Sequence, residues 1–121
     1  MTAPKVTMLM PVFNGERFIC QAVDSVLKQT FGDFELLVVD DGSTDATLEL
    51  LYQYSQADQR VRIIQQQHEG TRSALNRGLD IAQGQYLARL DADDIAQPQR
   101  LEKQVDLMDA RPALIILGSG Y

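Results

Sequence analysis

Three carboxylates, Asp91, Asp93 and Asp94, follow directly on the largely apolar run Tyr86-Leu87-Ala88-Arg89-Leu90. Like charges gathered at the end of a buried strand repel one another unless a cation sits against them. An all-oxygen donor set suits magnesium, manganese or calcium, and magnesium-type sites commonly combine one or two carboxylates with substrate phosphates. The chemistry indicated is a metal-bridged diphosphate. Residues i and i+2 of a strand share a side, which places Asp91 and Asp93 together as metal ligands and turns Asp94 aside as a capping or outer group. The competing reading is a solvated acidic turn.

A second acidic strand end lies upstream, at Glu35-Leu36-Leu37-Val38-Val39-Asp40-Asp41-Gly42-Ser43. A carboxylate here can accept the imide N–H of uracil or the N–H edge of guanine. Adjacent strand residues point to opposite sides, so Asp40 and Asp41 divide their tasks. Phe13 is placed either to line a base pocket or to pack on the first helix. Arg72 and Arg89 are placed either to contact base or diphosphate or to form local ion pairs. His68, the only histidine, is read as a surface residue, and Cys20, the only cysteine, as an ordinary helix thiol.

Alternating elements position these groups. Lys5 to Val12 reads as a strand ended by Asn14-Gly15, and Ile19, Ala22, Val23, Val26 and Leu27 mark an amphipathic helix of about four turns. Phe34 to Asp40 is the second strand. Asp45 favours the next helix N-terminus, and Leu48, Leu51 and Tyr52 give that helix its apolar face. Val61 to Gln65, then a helix from Thr71 to Ala82, then Tyr86 to Leu90 continue the pattern. Pro98 opens a fourth helix lined by Leu101, Val105 and Met108, and Leu114 to Leu117 reads as a fifth strand. Strict alternation predicts an α/β, Rossmann-like fold with a mostly parallel sheet covered on both faces. Ligands of such sheets bind outside the carboxyl ends of the strands, where both acidic clusters fall.

The 121 residues make one domain, residues 1–121, and a chain of this size buries roughly two thirds of its unfolded surface. A net charge of -6 without a Lys/Arg cluster argues against nonspecific attraction to nucleic acid or an anionic membrane, and no nucleic-acid partner is expected. One cysteine permits no intrachain disulfide and no zinc-type cysteine set. That fits a reducing, cytoplasmic setting, with peripheral membrane attachment through a longer parent left open. The loop after the first strand lacks the three glycines of a dinucleotide fingerprint.

Laid out in order, Pro11-Val12-Phe13-Asn14-Gly15, Ser25-Val26-Leu27-Lys28-Gln29-Thr30, Glu35 to Asp45, Ala74-Leu75-Asn76-Arg77-Gly78-Leu79, and Asp91-Ala92-Asp93-Asp94 with Pro98 and Arg100-Leu101 resemble the N-terminal half of family 2 glycosyltransferases, which have the GT-A fold. The resemblance implies an inverting transfer of sugar from a nucleotide-diphosphate sugar, UDP-linked in preference to GDP-linked, to a hydroxyl acceptor on a saccharide or lipid carrier. Carried over, Asp41 would meet the base, Pro11 and Phe13 would border it, and Arg72 would assist. Asp91 and Asp93 would hold Mn2+ or Mg2+, with Asp93 also counted among the nucleotide-binding residues. The family's catalytic base belongs to an acceptor half beyond the region of resemblance, so none is assigned. The chain is expected to be a C-terminally truncated donor-binding domain, with a non-catalytic nucleotide-sugar-binding fragment as the alternative and self-association through the uncovered fifth strand as a corollary. A response-regulator receiver is rejected, because its acidic pair belongs after the first strand and its phosphorylatable aspartate after the third, where Gln65-Gln66-Gln67 stands. A sugar nucleotidyltransferase lacks its glycine-rich N-terminal loop here.

Overall fold

The computed structural model describes residues 3–110. Within them run β1 (Val6–Val12), α1 (Ile19–Leu27), β2 (Phe34–Asp40), α2 (Thr47–Ala57), β3 (Val61–Gln65), α3 (Thr71–Ile81), β4 (Tyr86–Arg89) and α4 (Arg100–Ala110). The strands form one sheet in the order β3-β2-β1-β4, every pairing parallel. This is the α/β, Rossmann-like architecture predicted from the alternation. The fifth strand expected at Leu114 to Leu117, and the self-association drawn from it, lie outside the described residues.

β1 and β2 are buried along their whole length, as continuous Val/Leu/Met runs in the middle of a parallel sheet must be. Their alternate side chains feed two cores. Met8, Met10, Leu36 and Val38 pack with Ile19, Ala22, Val23 and Val26 of α1, Leu51 of α2, and Leu101 and Val105 of α4. Leu9, Leu37 and Val39 face the other way, against Ala74 of α3, with Leu75, Ile81 and Ala82 around them. Three helices therefore cover one face and α3 covers the other. Gly78 permits that close approach, since a Cβ there would lie 2.3 Å from Leu9 Cδ1.

Some expected boundaries and faces shift. α1 runs over the same residues, Ile19–Leu27, but these 9 residues make about two and a half turns rather than four. α4 starts at Arg100. Pro98 sits in the preceding turn, where its carbonyl accepts from Thr30 N at 2.8 Å. On α2, Tyr52 is 43% exposed, and its hydroxyl accepts from Gln65 Nε2. Leu50 and Tyr54 join Leu51 on the packed face instead, because the i, i+4 pair reaches α1, where the Tyr54 hydroxyl bonds Asp24.

Candidate functional site

The loops at the carboxyl ends of β1 and β2 are laced together. Asn14 adopts φ 49, and its Oδ1 accepts from Thr44 N at 2.8 Å and Asp45 N at 3.3 Å. In return Asn14 N donates to Ser43 Oγ, and Gly15 N to Thr47 Oγ1. Asp45 takes both the N–H and the hydroxyl of Thr47, which anchors the start of α2. This lacing fixes Pro11, buried, and Phe13, 44% exposed, at the mouth of a cleft.

The cleft encloses about 380 Å³ and is lined by Pro11, Phe13, Asn14, Phe18, Thr71, Arg89, Asp91 and Asp93, among others. Four of the predicted residues, Pro11, Phe13, Asp91 and Asp93, thus border one space. Neither Asp41 nor Arg72 lines it; the lining residue from α3 is Thr71, the neighbour of Arg72. Arg72 is exposed.

β4 ends at Arg89, so Asp91 and its neighbours lie in a turn closed by Asp94 N donating to Asp91 O at 3.0 Å. The turn brings ligand oxygens of Asp91, Asp93 and Asp94 within 4.8 Å of one another. Strand alternation, which had set Asp94 apart, does not govern here. Arg89 resolves as a local pair, its Nε 3.0 Å and its Nη2 2.9 Å from Asp91 Oδ1. Both contacts fall on one oxygen of Asp91. Clustered, partly exposed carboxylate oxygens are the donor set a hard divalent cation requires.

The acidic turn is braced from behind. Arg100, 4% exposed, donates from Nη2 to Arg89 O at 2.7 Å. Buried Gln29 donates from Nε2 to Gln97 O at 2.7 Å and accepts from Leu101 N at 3.0 Å. Ser25 Oγ accepts from Ala96 N. The segment from Ser25 to Thr30, noted in the sequence only as part of a resemblance, is therefore a clamp on the loop that leaves Asp91-Ala92-Asp93-Asp94.

At the end of β2, Asp40 Oδ2 accepts from Ser43 N at 3.1 Å. Asp41 is 3% exposed. Its Oδ1 accepts from Gln66 Nε2 at 2.7 Å and Glu69 N at 2.8 Å, and its Oδ2 from Gly70 N at 3.0 Å. His68 Nδ1 lies 3.0 Å from the same Oδ2 and 3.1 Å from Asp41 O. Burial pushes the Asp41 pKa up, but the donors from Glu69, Gln66 and Gly70 outweigh it and hold the carboxyl below its ordinary value. Gly42, at φ +81, lets this loop close, since a Cβ would lie 2.7 Å from His68 N.

His68 is exposed, as a surface residue should be, yet it makes contacts that the sequence does not announce. Its ring stacks on Phe13 with centroids 4.1 Å apart and 28° between planes. Phe13 and His68 lie 55 positions apart, so no local pattern joins them; only a sheet placing β1, β2 and β3 side by side does.

The model of the glycosyl transferase family 2 domain matches residues 7–121. The chain belongs to glycosyl transferase family 2. Among curated members, an uncharacterized glycosyltransferase of Haemophilus influenzae is 38% identical over 117 residues, spanning 96% of this chain and 36% of that protein. The putative glycosyltransferase EpsE of Bacillus subtilis is 36% identical over 121 residues, 98% of this chain and 44% of the relative. The chain thus spans less than half the length of these family 2 relatives. The crystal structure of S. aureus TarS 1-349 superposes with a TM-score of 0.83 at 28% identity, over 89% of this chain and 33% of that one. The mannosyltransferase PcManGT from Pyrobaculum calidifontis, in complex with GDP-Man and Mn2+, reaches 0.80 at 24% identity over 89% of this chain and 33% of that one, a likeness of fold. Among the described residues of this family 2 domain, no helix is long and apolar enough to cross a membrane.

Proposed function

We propose that this chain is the donor-binding domain of an inverting glycosyltransferase, taking a UDP-sugar in preference to a GDP-sugar and serving a hydroxyl acceptor on a saccharide or lipid carrier. The observation that carries the reading is that one cleft is lined by Pro11 and Phe13 together with Asp91 and Asp93. An aromatic face beside an oxygen-rich anionic cluster matches the two ends of a nucleoside diphosphate, provided a cation joins cluster to phosphates. S. aureus TarS, related by fold and at 28% identity, has been crystallised with UDP and with UDP-GlcNAc.

In this reading Asp91 and Asp93 hold Mn2+ or Mg2+, and Asp94, brought to the same point by the turn, joins them. The bound ion supplies Lewis-acid neutralisation of charge on the departing nucleoside diphosphate. Arg89 keeps Asp91 oriented through Oδ1. Phe13 offers a stacking face, and Asp41 accepts an N–H from the base edge. Arg72, exposed on the first turn of α3 and outside the cleft lining, is assigned an assisting role at the diphosphate. The general base is assigned to no residue of this chain, so the chain alone is expected to bind donor without transferring sugar.

Calorimetry of UDP binding with Mn2+, with Mg2+ and with chelator tests the reading. Binding that needs the metal and disappears in Asp93→Ala supports it; equal affinity in chelator removes the metal assignment.

A further inference from the structure

We propose that the His68 imidazole is a built-in stand-in for the nucleobase, occupying the slot between Phe13 and Asp41 and swinging out when a base is read there. The inference rests on the donor-binding reading above and specifies how its base end works.

The contact geometry carries it. At a centroid separation of 4.1 Å, Phe13 and His68 are in direct ring contact, with no room for a third ring between them. A base stacking on this face of Phe13 must take the imidazole's place. The second contact has the same character. Nδ1 faces a carboxylate oxygen at 3.0 Å and a carbonyl oxygen at 3.1 Å, both acceptors. Nδ1 therefore carries the proton. A planar ring stacked on Phe13 and donating a ring N–H to Asp41 is what the imide edge of uracil or the N1–H edge of guanine would also present.

The same contacts show which donor yields. Each carboxylate oxygen of Asp41 already takes two donors, so reading a base requires one to leave. Glu69 N and Gly70 N are backbone groups, and Gln66 is buried. The His68 side chain is 60% exposed. Its departure is a side-chain rotation that leaves the loop backbone, packed against Gly42, in place. Asp41 then keeps three of its own donors and gains the base, and Phe13 exchanges one stacked ring for another. The loop is thereby held ready for a base while the slot stays filled.

His68 is the only histidine, so its ring signals in an NMR spectrum of the whole chain need no assignment by mutation. The titration uses UDP with Mg2+, which is diamagnetic. Saturating UDP is expected to move the ring nitrogen shifts from those of an Nδ1–H tautomer to those of a solvent-exposed histidine. His68→Ala is expected to bind UDP about two- to ten-fold more tightly, the range one net intramolecular hydrogen bond spans. Free imidazole at millimolar concentration should compete with UDP in His68→Ala and leave the unmutated chain unaffected. Unchanged His68 shifts under saturating UDP would overturn the proposal, as would weaker UDP binding by His68→Ala, which would make the imidazole a partner of the base. UDP binding by His68→Ala alone would support it. Binding by neither protein would overturn the donor-site reading and this inference with it.

Discussion

The carboxylates at the end of β2 and those at the end of β4 are the same side chains on the same edge of one sheet, yet their surroundings are opposite. Asp41 is 3% exposed, and both its oxygens are covered by donors from the 66–70 loop. Asp91, Asp93 and Asp94 sit in a partly exposed turn, with Arg89 as the cation against Asp91. The first cluster is satisfied by the protein and organises a loop. The second is crowded with like charge and is suited to an external cation. Acidic residues at a strand end thus have no fixed role; the supply of internal donors decides how much of each carboxylate is held by the protein and how much is left for a ligand.

The largest expected effect separates the two ends most sharply. Asp91→Asn combined with Asp93→Asn should lower metal-dependent UDP affinity by at least ten-fold, about 1.4 kcal/mol or more, with no loss of stability in chelator. A thermal melt showing a fall of several degrees would make these residues structural caps and erase the contrast.

Asp41→Asn should, by contrast, cost stability, since an amide at this position turns donors toward donors. A stability loss of about 1.5–3 kcal/mol is expected, the scale of a hydrogen bond to a charged group, together with weaker UDP binding. Chemical denaturation would measure it. Full stability with weakened UDP binding would show that Asp41 serves the ligand more than the loop.

The clamp behind the acidic turn offers a test of intermediate size. Gln29→Leu leaves Leu101 N and Gln97 O without their partner, and an unsatisfied buried group costs about 1–3 kcal/mol. Stability should fall, and Mn2+-dependent UDP affinity should fall with it; a destabilised protein with unaltered affinity would show that the clamp does not position Asp91 and Asp93.

Acid sensitivity gives a finer discrimination. Asp41 has its native pKa lowered despite burial, by donors from Glu69, Gln66 and Gly70. A depressed native pKa gives stability that is complete above the unfolded value, about pH 4, and lost as pH falls through the native one. The acid limb of the stability profile should therefore flatten in Asp41→Asn and persist in Asp93→Asn. The smallest effect is expected from Tyr52→Phe, which removes one exposed bond to Gln65 and should stay within about 0.5 kcal/mol.

The sequence by itself determined the alternation of strands and helices, because β1 and β2 are unbroken apolar runs and α1 repeats at helical spacing. Those signals are local, arising from burial on both faces of a strand or one face of a helix. It also marked both acidic ends as candidates, since residue type alone states what a carboxylate can bind. The tertiary structure decided where they point. Asp94 joins Asp91 and Asp93 because a turn, not a strand, carries them. Gln29, two residues past the end of α1, holds a loop 68 residues away. His68 reaches Phe13 and Asp41 because parallel strands deliver their carboxyl-end loops to one edge. Such contacts depend on which strands become neighbours, a choice made by the packing of the whole sheet between α3 and the three other helices, and no window of sequence around His68 contains it.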